Sequence, residues 1–265
     1  MTIPPFLRTI ASAPYYRQHW IDAAREVYAA FQFRRHRQDD PADFLTELGI
    51  NIVTAFDGFE KWRPTLKAAL ERVDAKGGAQ GGCSLEDGQI FYGLVRALKP
   101  KIVIETGVAA GISTSFLGAA LIENGDGRLY SVELPAIQTL DKVCDDGVVY
   151  EWASTGVGWA VPDEVRKGLG DRHTLVLEDV RTALPRLVRE LPPIDIFIHD
   201  DLHTPDHMLW QYELMWPHLA PNGVMLSDDS NVGWIDFCKS RRLSDRLYAN
   251  CQRLTAARKT AGALT

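Results

Sequence analysis

Acidic side chains and imidazoles collect in this 265-residue chain where short apolar runs stop. Glu105 follows Ile102-Val103-Ile104, His199-Asp200-Asp201-Leu202-His203 follows Ile194-Asp-Ile-Phe-Ile198, and Ser227-Asp228-Asp229-Ser230-Asn231 follows Gly223-Val-Met-Leu226. If these loops converge, the carboxylates of Asp200, Asp201, Asp228 and Asp229 cannot all stay ionised in a partly dry cleft, because like charges there repel and force protonation. A divalent cation resolves the conflict, and an all-oxygen donor set favours magnesium, manganese or calcium over zinc. His203, three residues beyond Asp200, can reach a hydroxyl held by the same cation. Its unperturbed pKa of about 6.5 suits a general base. His199 reads as a packed strand end, His207 as helix surface and His218 as a helix end.

The elements that would position these groups are those of an open parallel sheet. The β-branched run before Glu105 fits a strand covered on both faces. Gly107 and Gly111 permit tight turns and close approach of a ligand, and Ser113 or Thr114 is placed to cap a helix running to about Ile122. A dinucleotide-binding glycine turn needs glycine where Glu105 stands, so a nicotinamide-dependent oxidoreductase is disfavoured. A carboxylate at that point suits a ligand with an ammonium group, such as the methionine half of S-adenosylmethionine. Arg128-Leu-Tyr-Ser-Val-Glu133 is a second strand ending in an acid fit to accept from ribose hydroxyls, and Thr174-Leu-Val-Leu177 a third, ending at Glu178-Asp179. Ligands of such sheets sit beyond the carboxyl ends of the strands, where these loops meet.

The flanking chain is less specific. Residues 1 to about 75 carry apolar residues at helical spacing, among them Trp20, Ala23, Ala24 and Val27, then Phe56, Phe59 and Trp62. They form a helical extension that either roofs the site, makes a homodimer contact or packs on the sheet. Lys76-Gly-Gly-Ala-Gln-Gly-Gly82 reads as a linker or lid, and Ser84-Leu-Glu-Asp87 as a capping box opening a helix through Leu98. Trp159, in a long connection between Glu133 and His173, either walls a sugar ring or the adenine or covers the sheet edge. The 46% hydrophobic content supports one main domain, and the net charge of −6 argues against nucleic-acid binding. Cys83, Cys144, Cys238 and Cys251 show no metal or disulfide spacing, so a soluble, cytoplasmic, unprocessed protein with no membrane partner is expected.

Ile104-Glu-Thr-Gly-Val-Ala-Ala-Gly-Ile-Ser-Thr114, Asp200-Asp-Leu-His203 and Ala220-Pro-Asn-Gly-Val-Met-Leu-Ser-Asp-Asp229 together resemble class I S-adenosylmethionine-dependent methyltransferases, in particular the metal-dependent branch with macrolide-sugar and cephalosporin-pathway O-methyltransferases. The resemblance implies an α/β, Rossmann-like, doubly wound, mostly parallel seven-stranded sheet, with residues 1–80 as the extension and 81–265 as the cofactor-binding domain. It implies Asp200, Asp228 and Asp229 as ligands of Mg2+ or Mn2+ and His203 as the base. It further implies Glu105, Gly107, Gly111 and Ser113 at the methionine moiety, Glu133 at the ribose and Asp179 near the adenine. Asp201 replaces the small second residue of the family's loop and is either a rival ligand or, like Trp159, a substrate contact. The acceptor expected is a hydroxyl of a sugar or oligosaccharide, as in polysaccharide biosynthesis. A catechol-like or other natural-product hydroxyl is the alternative, and a non-catalytic nucleotide- or sugar-binding protein a third reading. Arg258 to Thr265 resembles the antiparallel strand that closes this fold.

Overall fold

The computed structural model describes residues 13–35, 38–77, 80–135, 144–145, 151–243 and 254–260. Within them six strands form one sheet: β1 (Ile102–Thr106), β2 (Arg128–Glu133), β3 (His173–Leu177), β4 (Ile194–His199), β5 (Leu219–Ser227) and β6 (Thr255–Arg258), in the order β3-β2-β1-β4-β5-β6. The first five run parallel and β6 runs antiparallel to β5. The α/β, mostly parallel architecture is as expected, but the seven strands are corrected to six among the described residues. The closing strand is also displaced: it is Thr255–Arg258, with Ala256 opposite Leu226, and residues 261–265 lie outside the described ones. A run of small residues carries no periodicity that could have set that register.

Every residue of β1 is buried, because helices cover both sheet faces. Val103 joins Phe91, Leu94, Phe116 and Leu121 on one side, while Ile102 and Ile104 join Leu184, Met208, Tyr212 and Trp234 on the other. Strand order reverses at β1 and β4, so the crossovers diverge to opposite faces and leave a crevice at the carboxyl ends of these two strands. The capping box forms: Ser84 and Asp87 satisfy each other's backbone amides at the start of helix Leu85–Leu98.

The N-terminal helices divide between the two faces. Phe44, Leu45, Phe59 and Trp62 enter the core beside helix Leu85–Leu98. Helix Trp20–Arg35 packs on the other side, where Glu26 Oε1 accepts from the amide of Val232 at 2.9 Å. Its expected inner stripe is corrected: Trp20 is 72% and Val27 49% exposed, and the buried face is Glu26, Ala29 and Phe33. A buried carboxylate that satisfies a helix-start amide outranks apolar periodicity here. Gly77 ends helix Phe59–Lys76, while Gly78 and Ala79 of the expected linker are outside the described residues. Among the described residues no helix is long and apolar enough to cross a membrane.

Candidate active site

The turn after β1 is built around backbone approach. Gly107 has φ +82°, and a Cβ there would stand 1.7 Å from the carbonyl oxygen of Asp200. The Asp200 amide donates to the Thr106 carbonyl at 2.8 Å, so the β1 and β4 loops lie against each other through this glycine. A Cβ on Gly111 would meet Val161 at 2.4 Å and Gly158 at 2.9 Å. Both glycines were expected to permit tight turns and close approach of a ligand; the turns form, with φ +82° and +90°, and neighbouring chain packs where a Cβ would stand, Asp200 in one case and the 158–161 segment in the other. That segment is held by Gly158 donating to Ala109 and Ala160 donating to Ala110. Trp159 leans on the core beside the turn, its Nε1 buried without a hydrogen-bond partner among the described residues.

Glu105 is buried, and its carboxylate accepts from Ser113 Oγ (3.0 Å), Thr114 Oγ1 (2.6 Å) and Ser131 Oγ (2.6 Å). This corrects two expectations. The carboxylate does not stand open toward an ammonium group, and neither Ser113 nor Thr114 caps its helix, whose N-cap is Gly111 with no side-chain cap. Burial pushes the Glu105 carboxyl up, against the pull of the three hydroxyls. Glu105 thus ties β1, β2 and helix Ile112–Asn124 together beneath the turn.

Glu133, at the end of β2, does reach the turn. Its Oε2 accepts from the amides of Val108 (2.8 Å) and Ala109 (3.0 Å), and its Oε1 from Leu134. Burial raises this carboxyl too, opposed by those amides. Asp179 is exposed and caps helix Val180–Glu190 by accepting from the Arg181 amide.

The acidic loops separate into two clusters, which adjacency in sequence could not show. Asp200, His203 and Asp228 each offer a ligand atom, all within 4.8 Å of one another. His203 Nε2 is 3.8 Å from Asp200 Oδ1, and both His203 Nε2 and Asp228 Oδ1 are buried with no hydrogen-bond partner among the described residues. Burial, then repulsion from Asp228 and Asp229, holds the Asp200 carboxyl well above the usual carboxylate range. Burial and Asp229 do the same for Asp228. Asp229 sits beside them on a left-handed backbone, φ +42°.

Asp201 turns the other way. Its Oδ1 is 2.9 Å from His199 Nε2 and 3.2 Å from His207 Nε2, and Gln211 Nε2 donates to both its oxygens at 2.8 Å. Asp201 is therefore corrected from rival ligand or substrate contact to the centre of a second cluster, and His207 from helix surface to a buried member of it. His207 and Gln211, four residues apart, share a helix face, which was the available signal. Burial pushes the Asp201 carboxyl up, but His199 and His207 more than reverse this and leave it below the usual range.

A Rossmann-like sheet gathers the acidic centre at the carboxyl ends of β1, β4 and β5, where open α/β sheets bind their ligands. Residues 104–230 match the family model described as a methyltransferase domain, a span holding both clusters and the β1 turn. Among solved structures, a candidate caffeoyl-CoA O-methyltransferase from Staphylococcus aureus is 11% identical over 79% of this chain and 100% of its own, with a TM-score of 0.51, and shares the fold. An O-methyltransferase from Klebsiella pneumoniae, itself assigned only provisionally, is 21% identical over 63% of this chain, at a TM-score of 0.46; the chain spans 65% of that protein's length. TomG, the Streptomyces achromogenes O-methyltransferase of tomaymycin synthesis solved with S-adenosylmethionine, is 19% identical over 69% of this chain and 77% of its own, at 0.47. No curated protein matches the chain.

Proposed function

We propose that the chain transfers the methyl group of S-adenosylmethionine to a hydroxyl of a sugar or oligosaccharide, with His203 as general base beside a divalent cation. The observation that carries this reading is the convergence of Asp200, His203 and Asp228 within 4.8 Å next to the β1 turn. The centre fits a cation: two mutually repelling carboxylates, Asp228 buried and Asp200 half-buried, with an Asp228 oxygen that no donor among the described residues satisfies, are what a divalent ion neutralises. Asp200 and Asp228 would hold it, with Asp229 alongside. Bound there, Mg2+ or Mn2+ supplies Lewis acidity that makes a neighbouring hydroxyl easier to deprotonate.

The crevice fits the cofactor as well. A carboxylate offers about four acceptor positions, and Glu133 uses three on Val108, Ala109 and Leu134, keeping one for a ribose hydroxyl. S-adenosylmethionine, when bound, supplies an electrophilic methyl group. Gly107 brings the Asp200 loop against the turn, so cofactor and acceptor would lie side by side, which is most of what such a transfer needs. His203 Nε2, buried and without a hydrogen-bond partner among the described residues, takes the acceptor's proton. A vicinal diol answers paired carboxylates better than an isolated hydroxyl does, and a neutral sugar adds no charge to an acidic cleft.

The test is transfer of labelled methyl to a panel of sugars, oligosaccharides and catechols, with Mg2+ and after chelation. Sugar-dependent transfer that chelation abolishes is expected. Transfer to catechols alone would replace the acceptor, and failure to bind S-adenosylhomocysteine in calorimetry would overturn the reading.

A further inference from the structure

We propose that His199, Asp201 and His207 bind a transition-metal ion of the zinc class, separate from the centre at Asp200 and Asp228. Their ligand atoms lie within 4.8 Å of one another. With Zn–N and Zn–O bonds of about 2.0–2.1 Å, neighbouring donors in a tetrahedral site stand about 3.3 Å apart. Asp201 Oδ1 stands 2.9 Å from His199 Nε2 and 3.2 Å from His207 Nε2.

Protons alone do not satisfy this arrangement. His199 is 0% exposed, and neither of its ring nitrogens makes a hydrogen bond to any described residue, although Nε2 lies so near Asp201. The carboxylate oxygen sits off the ring N–H axis, as a second ligand does when two donors aim at a point between them. His207 Nε2 has contradictory neighbours. Asp201 Oδ1, an acceptor, requires a proton on that nitrogen; Gln211 Nε2, a donor at 2.8 Å, requires its lone pair. A cation removes both conflicts, since each imidazole then presents a lone pair and Asp201 its charge. Turning the Gln211 carboxamide over completes a two-nitrogen, two-oxygen set: its oxygen joins the three donors, and its NH2 meets Thr106 Oγ1, now 3.0 Å from Oε1. Two imidazoles and a carboxylate are donors of the zinc class, whereas magnesium takes oxygen.

The site would also have a structural effect. His199 ends β4 and His207 lies in the first turns of helix Pro205–Met215, so a shared ion staples both ends of the loop that carries Asp200 and His203. The His199 and His203 rings are 5.6 Å apart, edge to face, so the staple also steadies the proposed base.

The experiment is metal analysis of the full chain purified from zinc-supplemented culture, followed by Co2+ replacement and visible spectroscopy. About one zinc per chain should survive dialysis against Mg2+, and Co2+ should give the intense d–d absorption of a four-coordinate nitrogen-containing site. His207→Ala and Asp201→Asn should each weaken zinc binding by more than about a hundredfold, the upper end of what loss of a mere supporting residue costs. Asp228→Asn should keep the zinc. Zinc lost with Asp228→Asn but kept by His207→Ala would move the ion to the acidic centre and overturn the proposal, as would a wild-type chain that retains no transition metal. If the ligand variants do not fold, the Co2+ spectrum of the wild type decides: weak octahedral absorption also overturns it.

Discussion

Replacing Gly107 by alanine should damage the site from outside its chemistry. The new Cβ would lie 1.7 Å from the carbonyl oxygen of Asp200, 2.4 Å from its carbonyl carbon and 2.9 Å from the Asp201 amide nitrogen, all of them backbone atoms that cannot rotate away. Two costs combine. The left-handed conformation, φ +82°, costs a side chain about 1–2 kcal/mol, and forcing an extra methyl into a packed contact costs about 1–3 kcal/mol more. Gly125→Ala isolates the first, since Gly125 has φ +72° and a Cβ added there would meet nothing within 4 Å. At about 2–4 °C per kcal/mol for a chain of this size, Gly107→Ala should melt about 2–12 °C below the Gly125→Ala control. The relief route is for the β4 loop to retreat, which breaks the 2.8 Å bond from the Asp200 amide to Thr106 and carries Asp200 away from Asp228. Calorimetry should therefore find cation and S-adenosylhomocysteine binding both weakened in Gly107→Ala and unchanged in Gly125→Ala. Equal melting temperatures, or unaltered binding, would refute the account of Gly107 as the point where the two loops meet.

Other consequences are open to separate measurement. His203→Ala should lower kcat by roughly a hundred- to ten-thousandfold while S-adenosylhomocysteine still binds; near-normal turnover removes His203 as base. For the metal-free chain, the raised carboxyls of Asp200 and Asp228 mean that the native state keeps protons the unfolded state has lost above the ordinary carboxylate value. Stability under chelation should therefore be highest near or below about pH 4 as regards these groups, and fall as pH rises toward their native values. Mg2+ at neutral pH should restore it, and Asp228→Asn should flatten the dependence, as denaturant midpoints across that range can check. A flat profile in the wild type would mean that burial and mutual repulsion do not raise the two carboxyls. Glu105→Gln sets an amide NH2 among three hydroxyl donors and should cost about 1–3 kcal/mol, read as a lower urea midpoint. An unchanged midpoint would show that the Ser113, Thr114 and Ser131 hydroxyls do not depend on the carboxylate.

Much of the fold was legible because its signals are local. The β-branched run of β1, the capping box at Ser84 and Asp87, and strand-terminal acids at Glu133, Asp200 and Asp228 are each set by a few neighbouring residues, and parallel topology then carries those strand ends to one edge. Residue types alone also indicated that acids and an imidazole would meet. What only the tertiary structure decided is which way each side chain turns. Asp200 and Asp201 are adjacent yet serve different clusters, because the chain leaving β4 turns against Gly107 and sends one carboxylate toward Asp228 and the other toward His199 and His207. Glu105 looked like a ligand contact until three hydroxyls from two elements closed around it. Helix Trp20–Arg35 buries Glu26 and exposes Trp20 because the start of helix Val232–Ser240, remote in sequence, needs a hydrogen-bond acceptor. Periodicity and composition report the preferences of single residues; the partners that outweigh those preferences come from distant parts of the chain, and only folding brings them into contact.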